Sequence, residues 1–311
     1  MTYGSGDDRL SKNARRDAAR EKARAHREQQ RKKERRNRFL LQGGIGVAVI
    51  AIVVVVALIV VGNIKPSVAG PKNMLSDGIT IGKDFKAVET AGIPANGSPV
   101  PTVRDKKSSV VTIRIYLDYF CPICNEFETA NKTQISSWLK SGAATLEIHP
   151  VSFLDRSSQG TRYASRAANA AACVANYSPD DFWAFTQEMY VKQPKELTAG
   201  LTNAQINSVI KDAGVSNLSQ ISTCVNKESF KSWVTESTDR ATHGPLPDSN
   251  VKTVTGTPTI IVDGLQYVAS DWSSASDFQA FVVQAAGQSF NSSTPTPTPV
   301  PSLTPTPTPT K

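Results

Sequence analysis

Cysteine and histidine, the usual ligands of structural zinc, are scarce in this chain of 311 residues, which has only four cysteines and three histidines. A structural zinc site uses four ligands, usually in closely spaced pairs. Cys121 and Cys124 form one such pair, but the other two cysteines stand alone and the histidines follow no ligand spacing. We therefore expect no metal, and nothing in the sequence indicates a cofactor.

Net charge is absent from most of the chain. Residues 1–38 hold 14 Lys and Arg and 6 Asp and Glu, and their net charge of +8 equals that of the whole chain. Since the chain has 35 basic and 27 acidic residues, the remainder holds 21 of each. The excess of positive charge thus belongs to an N-terminal basic arm that abuts an uncharged run, where the positive-inside rule accounts for it. We do not expect nucleic acid as a partner.

Residues 39–64 contain no charged residue over a run of 26 residues dominated by Val and Ile. A helix of roughly 20 apolar residues crosses a bilayer, whereas the apolar core of a cleaved signal peptide has roughly 7–15 residues. We therefore predict one uncleaved transmembrane helix, with a cleaved signal peptide as the alternative. The basic arm before this helix predicts a single-pass protein of the cell membrane, with a cytoplasmic N-terminus and an extracytoplasmic domain.

One folded domain is predicted between two flanking segments. Residues 65–72 are predicted to be a short linker, and residues 291–311 alternate Thr and Pro. Such a composition is typical of an extended or disordered segment, either an O-glycosylated stalk or a bare solvated tail. Residues 73–290 remain for the domain, which is long enough to bury a substantial core.

Strand and helix patterns alternate within that domain. Residues 110–119 (VVTIRIYLDY) are rich in β-branched and aromatic side chains and predict a central strand, followed by a helix that begins near Cys121. Residues 144–154 predict a second strand, and residues 256–269 predict a β-hairpin around an Asp-Gly turn. Several helices between these strands, and one after the hairpin, complete an α/β domain.

Cys121 and Cys124 form a C-x-x-C motif at the predicted start of a helix. The unpaired N–H groups and the positive dipole end of a helix N-terminus favour a thiolate over a thiol. In such motifs the pKa of the first cysteine falls from about 8.5 to roughly 3.5–7. Cys121 is therefore predicted to be the attacked sulfur, exposed at the tip of the helix, and Cys124 the resolving one. An inert local disulfide is the alternative.

YLDYFCPIC ends a predicted strand and opens a helix, and GTPT precedes a predicted strand and an Asp-Gly turn. These two motifs are similar to the D-x-x-C-P-x-C motif and the cis-proline loop, respectively, of the DsbA-like thiol-disulfide oxidoreductases of the thioredoxin superfamily. About 130 residues separate the two motifs, and DsbA-like members fill this interval with helices. The resemblance covers roughly residues 100–287 and implies a thioredoxin-like fold with a helical insertion at about residues 156–250.

By this resemblance Cys121 matches the nucleophile and Cys124 the resolving cysteine. Thr257 and Pro258 match the residue pair of the cis-proline loop, and the main chain of Thr257 is expected to pair with a substrate strand. An ordinary proline at the edge of a strand is the alternative for this pair. Asp118 matches the family's acid before the motif, but a hydrogen-bonded residue at a strand end is the simpler interpretation.

Other residues near the motifs have more local interpretations. Ile123, between the two cysteines, has no polar group where the best-known member has a histidine, which leaves the reduction potential open. Cys173 and Cys224 lie in predicted helices of the insertion, and an oxidising compartment favours a disulfide between them. Two buried free thiols are the alternative. His149 is expected to be a core or strand-end residue.

These features predict a membrane-anchored extracytoplasmic thiol-disulfide oxidoreductase that introduces disulfides into exported proteins. Its substrates would be reduced exported proteins, and the family resemblance implies a membrane partner of the DsbB or VKOR type that reoxidises it. A thiol reductase or disulfide isomerase would use the same residues at a lower potential. A redox-inactive envelope binding or scaffold protein is an alternative of another class.

Overall fold

The structure is a computed structural model, and it describes part of the chain: residues 20–22, 24–25, 27–33 and 69–293. The described residues of the basic arm are helical. No helix among the described residues is both long and apolar enough to cross a membrane. The predicted transmembrane helix, most of the predicted linker and most of the Thr/Pro tail lie outside the described residues, and the proposed domain boundaries stay predictions.

A mixed β-sheet of five strands forms the centre of residues 69–293, in the order β1-β3-β2-β4-β5. Strands β2 and β3 are parallel, and the other neighbouring pairs are antiparallel. Strand β2 lies in the middle, and five of its seven residues are buried, as its β-branched composition predicts. The strands are β1 (Ile79–Ile81), β2 (Val111–Leu117), β3 (Ala144–Pro150), β4 (Thr259–Val262) and β5 (Leu265–Tyr267).

Seven α-helices accompany this sheet in the described part of the chain. Five of them, α2 to α6, follow one another between β3 and β4, where the sequence predicts several helices. The order strand, helix, strand, helices, hairpin, helix agrees with the predicted order. The helices are α1 (Pro122–Ser141), α2 (Tyr163–Tyr177), α3 (Phe182–Val191), α4 (Asn203–Asp212), α5 (Leu218–Asn226), α6 (Lys231–His243) and α7 (Ala275–Ser293).

Helix α1 begins where the sequence predicts it. Cys121 is the N-cap residue, with φ −80° and ψ 116°, and Pro122 occupies the first helical turn, where a missing N–H leaves no bond unmade. Gly142 ends the helix in the left-handed conformation, with φ 78°, which a residue without a Cβ adopts most readily. The residues that α1 buries repeat at helical spacing, so one face of the helix packs on the domain core.

Two strands differ from the prediction. Strand β1 was not predicted, because three residues are too few to show a β pattern and this strand forms by pairing with β3. Strand β3 ends at Pro150 instead of residue 154. Val151 still donates to the carbonyl of Leu117 at 2.9 Å, but the next residues turn away, and the N–H of Leu154 donates to the Asp118 carboxylate at 2.8 Å.

The helices between β3 and β4 have a buried core of their own. Helix α2 is Ala-rich, and twelve of its fifteen residues are buried, because small side chains allow other helices to pack closely around it. A disulfide joins Cys173 of α2 to Cys224 of α5, and their Cα atoms are 5.9 Å apart. The pairing favoured from the sequence is therefore present in the structure.

Candidate active site

Two segments far apart in the chain meet at one end of the sheet. In the register of β2 with β4, Tyr116 lies opposite Thr259, so the end of β2 and the start of β4 are neighbours. The first segment continues into Cys121 and helix α1, and the second is preceded by the Thr257–Pro258 peptide bond, which is cis. As a result, the Cys121 Sγ atom lies 3.2 Å from the carbonyl oxygen of Thr257.

The sulfur of Cys121 occupies the N-cap position of α1. It accepts a hydrogen bond from the N–H of Cys124 at 3.4 Å. A hydrogen bond from the Cys124 side chain is the largest influence that lowers the pKa of the Cys121 thiol to about 6, and burial opposes it. The Thr257 side chain and the N–H groups of Cys124 and Ile123 lower the pKa further. At neutral pH most of the Cys121 side chain is therefore in its thiolate form.

Cys121 is more enclosed than the sequence predicts. The expectation was an exposed sulfur at the helix tip, but only 5% of the residue is accessible, while Pro122 and Ile123 beside it are exposed. The cis-proline loop lies against one side of the sulfur. The cis-proline loop on one side and the start of α1 on the other therefore leave little of this thiol accessible.

Cys124 has the opposite electrostatic character. It is completely buried, and burial raises the pKa of its thiol well above the ordinary value, with further increases from the hydrogen bond to Cys121 and from the charge on Cys121. Both cysteines are present as free thiols. The pair consists of one partly accessible sulfur that ionises readily and one buried sulfur that retains its proton.

Asp118 lies directly before this pair and is fully buried. Its carboxylate accepts hydrogen bonds at 2.8 Å from the N–H groups of Phe120 and Leu154. Burial raises the pKa of the Asp118 carboxyl to about 7, these two N–H groups lower it, and the charge on Cys121 raises it again. Asp118 is thus a hydrogen-bonded residue at the strand end, and it responds electrostatically to ionisation of Cys121.

Glu128 is a second buried carboxyl group near the site, and the sequence did not single it out. It lies one helical turn after Cys124 on the buried face of α1. Its Oε2 atom accepts from Gln187 Nε2 at 3.0 Å, whereas Oε1 is buried without a hydrogen-bond partner. Burial raises the pKa of the Glu128 carboxyl to about 7. Only tertiary packing reveals this residue, because a glutamate in a helix usually indicates an exposed face.

Gln193 is a further contact residue that sequence reasoning missed. Its side-chain Nε2 atom donates to the carbonyl oxygens of Tyr119, at 3.1 Å, and Cys121, at 3.0 Å. Gln193 follows helix α3 in a polar loop, and no local sequence signal indicates this contact. The segment between β2 and α1 is therefore held by a side chain from the region inserted between β3 and β4.

A groove of about 240 Å³ lies beside the cis-proline loop. It is open to solvent and combines backbone groups of the loop with apolar side chains. Ile123, which is 41% exposed, forms part of the groove wall next to Cys121. The other lining residues are Thr255, Gly256, Thr257, Pro258, Thr259, Gln266, Tyr267, Val268 and Trp272.

The remaining candidate residues lie away from this arrangement. His149 is buried in β3, where its ring stacks on Tyr116 with centroids 4.4 Å apart, so it is a core residue as expected. Among the described residues, no group of three or more His, Cys, Asp or Glu side chains is arranged to hold a metal ion. The structure brings together Cys121, Cys124, Thr257 and Pro258, the four residues predicted to form the site.

Residues 100–283 match the family model described as Thioredoxin. This match spans more than half of the chain, and the chain therefore belongs to the thioredoxin family. The predicted family resemblance is confirmed at this level. None of the curated proteins compared with the chain matches it.

Solved structures with a similar fold include the MdbA protein, a thiol-disulfide oxidoreductase from Actinomyces oris. It is 19% identical, with a TM-score of 0.50, and the match covers 71% of this chain and 93% of that one. DsbA from Mycobacterium tuberculosis is 24% identical, with a TM-score of 0.48 and coverage of 70% and 100%. The disulfide bond oxidoreductase DsbG from the same organism is 24% identical, with a TM-score of 0.49 and coverage of 69% and 93%. Together with the family match, the MdbA likeness confirms the predicted α/β thioredoxin-like fold.

Proposed function

We propose that this protein is a membrane-anchored extracytoplasmic thiol-disulfide oxidoreductase that introduces disulfides into exported proteins. The observation that carries the proposal is the geometry of Cys121. Its sulfur sits at the N-terminus of α1, accepts from the N–H of Cys124, and lies 3.2 Å from the carbonyl of Thr257. A structural disulfide would need neither a stabilised thiolate nor an opening to solvent beside it.

The reaction begins with the Cys121–Cys124 disulfide. A substrate thiolate attacks the sulfur of Cys121, a substrate–Cys121 disulfide forms, and the Cys121–Cys124 bond breaks. Cys124 leaves as a thiolate and takes up a proton, which its burial and raised pKa favour. A second substrate thiolate attacks the substrate sulfur of the mixed disulfide, and Cys121 leaves as a thiolate. The substrate has then lost two electrons, and the enzyme holds a dithiol.

Thr257 and Pro258 are proposed to hold the substrate during this exchange. A substrate backbone laid along the loop in an extended conformation would pair with the main chain of Thr257 beside the attacked sulfur. The groove next to the loop would accept the side chains that flank the substrate cysteine. Its apolar walls, which include Ile123 and Trp272, favour apolar side chains at those positions.

The direction of electron flow depends on how strongly the site stabilises the thiolate. The pKa of about 6 for Cys121 lies between the values of about 7 for thioredoxin and about 3.5 for DsbA. A stabilised thiolate is a better leaving group and stabilises the reduced form, so it makes the disulfide more oxidising. An oxidase also needs a reoxidising partner, which we propose to be a membrane protein of the DsbB or VKOR type that takes up the two electrons.

The reduction potential tests the proposed direction. The full-length chain in detergent is equilibrated with glutathione buffers, and Cys121–Cys124 is followed by mass spectrometry separately from Cys173–Cys224. A value of about −120 mV, as for DsbA, supports the oxidase, whereas a value of about −270 mV, as for thioredoxin, supports a reductase. If the pair does not exchange with glutathione, the proposed enzymatic function fails and a binding or scaffold role replaces it.

Membrane anchoring by residues 39–64 is the second part of the proposal. Its support is the length of the uncharged run and the charge asymmetry around it. In intact cells, an externally added maleimide should label a cysteine introduced at Ser67, and should not label one introduced at Ser11. Release of the protein from membranes by alkaline carbonate would contradict the anchor.

A further inference from the structure

A single side-chain amide bridges the turn between β2 and α1. Gln193 Nε2 donates to the carbonyl of Tyr119 at 3.1 Å and to the carbonyl of Cys121 at 3.0 Å. These two carbonyls lie on either side of Phe120, in the segment that carries the reactive cysteine. One amide from another part of the fold therefore orients two carbonyls of the same short segment.

The orientation of the Gln193 amide is itself determined by its neighbours. Its Oε1 atom accepts from Asn125 Nδ2 at 3.0 Å, and the same Asn125 nitrogen donates to the carbonyl of Tyr190 at 3.1 Å. Asn125 Oδ1 in turn accepts from Thr129 Oγ1 at 2.9 Å. Exchanging the oxygen and nitrogen of Gln193 would place an acceptor against two carbonyls, so the donors must face Cys121.

The backbone conformation of Cys121 determines the position of its sulfur. The carbonyl of Cys121 accepts the first hydrogen bond of α1 from the N–H of Asn125, at 3.3 Å. The side chain of an N-cap residue reaches the free N–H groups of the first turn only while its backbone stays extended. The Gln193 bond to the same carbonyl opposes rotation out of that conformation, and thereby keeps the sulfur near the N–H of Cys124.

We propose that Gln193 is a positioning residue for the reactive thiol, because its amide clamps the carbonyls of Tyr119 and Cys121 and so holds the sulfur at the N-terminus of α1. It acts through the backbone and does not touch the sulfur. The inference rests on the proposed redox function of Cys121 and adds that the region inserted between β3 and β4 takes part in setting the reactivity of this thiol. Asn125 supports the clamp from within α1.

The substitution that tests the clamp leaves the charges of the site in place. The titratable groups that face Cys121 are Cys124 in α1, Asp118 at the end of β2 and Tyr190 in α3. Gln193 is uncharged, and methionine has a similar length without an amide. A change in the Cys121 titration of Gln193→Met therefore reports the lost donors and not a lost or added charge.

The experiment measures thiolate absorbance against pH, and the equilibrium with glutathione, for the full-length chain and its variants. In Gln193→Met we expect the pKa of Cys121 to rise by about one unit, roughly the net worth of one hydrogen bond. A rise from about 6 to about 7 shifts the equilibrium with glutathione at pH 7 about fivefold toward the disulfide, or roughly 20 mV. Asn125→Ala should shift both values in the same direction by a smaller amount.

Thr186→Val is the matched control. Thr186 lies on α3, before the loop that carries Gln193, and exchanges a hydrogen bond with the hydroxyl of Tyr119 at 3.1 Å, but it contacts neither carbonyl of the clamp. It should lower stability while leaving the pKa of Cys121 unchanged. If Gln193→Met does not fold, Asn125→Ala decides the question.

Three outcomes are separable. A raised pKa of Cys121 in Gln193→Met, together with an unchanged pKa of Cys121 in Thr186→Val, supports the clamp. A wild-type pKa and potential in the folded Gln193→Met variant, or in Asn125→Ala when it is the deciding variant, overturns it. A wild-type chain that does not exchange with glutathione overturns the proposed function instead, and the pKa comparison between variants still tests the clamp.

Discussion

The sulfur of Cys121 lies 3.2 Å from the carbonyl oxygen of Thr257, although 136 residues separate the two in sequence. A thiol donates to a carbonyl at this distance, whereas a thiolate is repelled by it. The Cys124 side chain, which is the largest influence, and the N–H groups at the start of α1 have the opposite preference. Cys121 therefore lies between one group that favours the proton and several that favour its loss, and the donors prevail, as its lowered pKa shows.

The two cysteines should differ completely in their reaction with oxidised glutathione. In Cys124→Ser, Cys121 remains able to attack but its mixed disulfide cannot be resolved, so an adduct of one glutathione should accumulate. In Cys121→Ser, the remaining thiol is fully buried and holds its proton, so no adduct should form. Mass spectrometry of the intact protein measures both, and the wild-type chain, which resolves its own adduct, is the control. Uptake by Cys121→Ser at the rate of Cys124→Ser would contradict the assignment of Cys121 as the attacked sulfur.

Alkylation of the reduced protein should depend on pH in the way expected of an acidic thiol. Only the thiolate reacts with iodoacetamide, and the Cys121 thiol has a pKa of about 6. The rate should be half-maximal near pH 6 and almost constant above about pH 7, whereas an ordinary thiol gains reactivity up to roughly pH 8.5 and beyond. Unfolded protein in urea is the reference. A rate that still rises steeply between pH 7 and 8.5 in the folded protein would contradict the stabilised thiolate.

The buried Glu128 should make the protein less stable as pH rises. Its pKa of about 7 in the folded state is above the value of about 4.3 in an unfolded chain. Its contribution to stability is therefore fully present below about pH 4.3 and is lost as pH rises through about 7. Glu128→Gln removes this loss, so its free energy of unfolding should exceed that of the wild type at pH 8 by up to about 4 kcal/mol and differ little at pH 4.5.

Urea unfolding of the oxidised proteins measures this effect, because the disulfide form removes the titration of the two active-site thiols. Glu126→Gln, on the exposed face of the same helix, is the matched control and should follow the wild-type pH dependence. The hypothesis fails if Glu128→Gln and Glu126→Gln show the same difference from wild type at both pH values. Asp118 is present in all three proteins, so its own titration cancels in the comparison.

The disulfide between Cys173 and Cys224 should contribute strongly to stability. It closes a loop with a sequence separation of 51 residues, for which the chain-entropy model gives about 4 kcal/mol. The double variant Cys173→Ala/Cys224→Ala should lose a free energy of unfolding of about this size, measured by urea titration at constant pH. Unchanged unfolding in the double variant would show that the helices α2 and α5 are held by packing alone.

Local signals in the sequence were sufficient to predict the start of α1. A β-branched run, a cysteine at the N-cap and a proline in the first turn each depend only on neighbouring residues. The cis-proline loop was predicted through its family resemblance, and its cis bond is present in the structure. The short strand β1 was missed because three residues form a strand only in the presence of β3.

The surroundings of the cysteines could not be predicted in the same way. Cys121 was expected at an exposed tip, but the carbonyl of Thr257, far along the chain, lies against its sulfur, and the Gln193 amide after α3 binds its carbonyl. Glu128 has the sequence appearance of a solvent-facing helix residue, and only the packing of α3 against α1 buries it. Such side chains gain their roles from tertiary contacts, on which hydrophobic periodicity carries no information.

The pairing of β2 with β4 also has a consequence for the order in which the site is made. Ribosomes synthesise proteins from the N-terminus, so both cysteines of the pair exist long before Thr257 does. A nascent chain that ends before residue 256 contains the reactive thiols and helix α1, but it has no cis-proline loop and no β4 to complete the sheet. Half of the site is thus absent for most of the time that the domain takes to be translated, and the reactive sulfur is enclosed only by the last strands to appear.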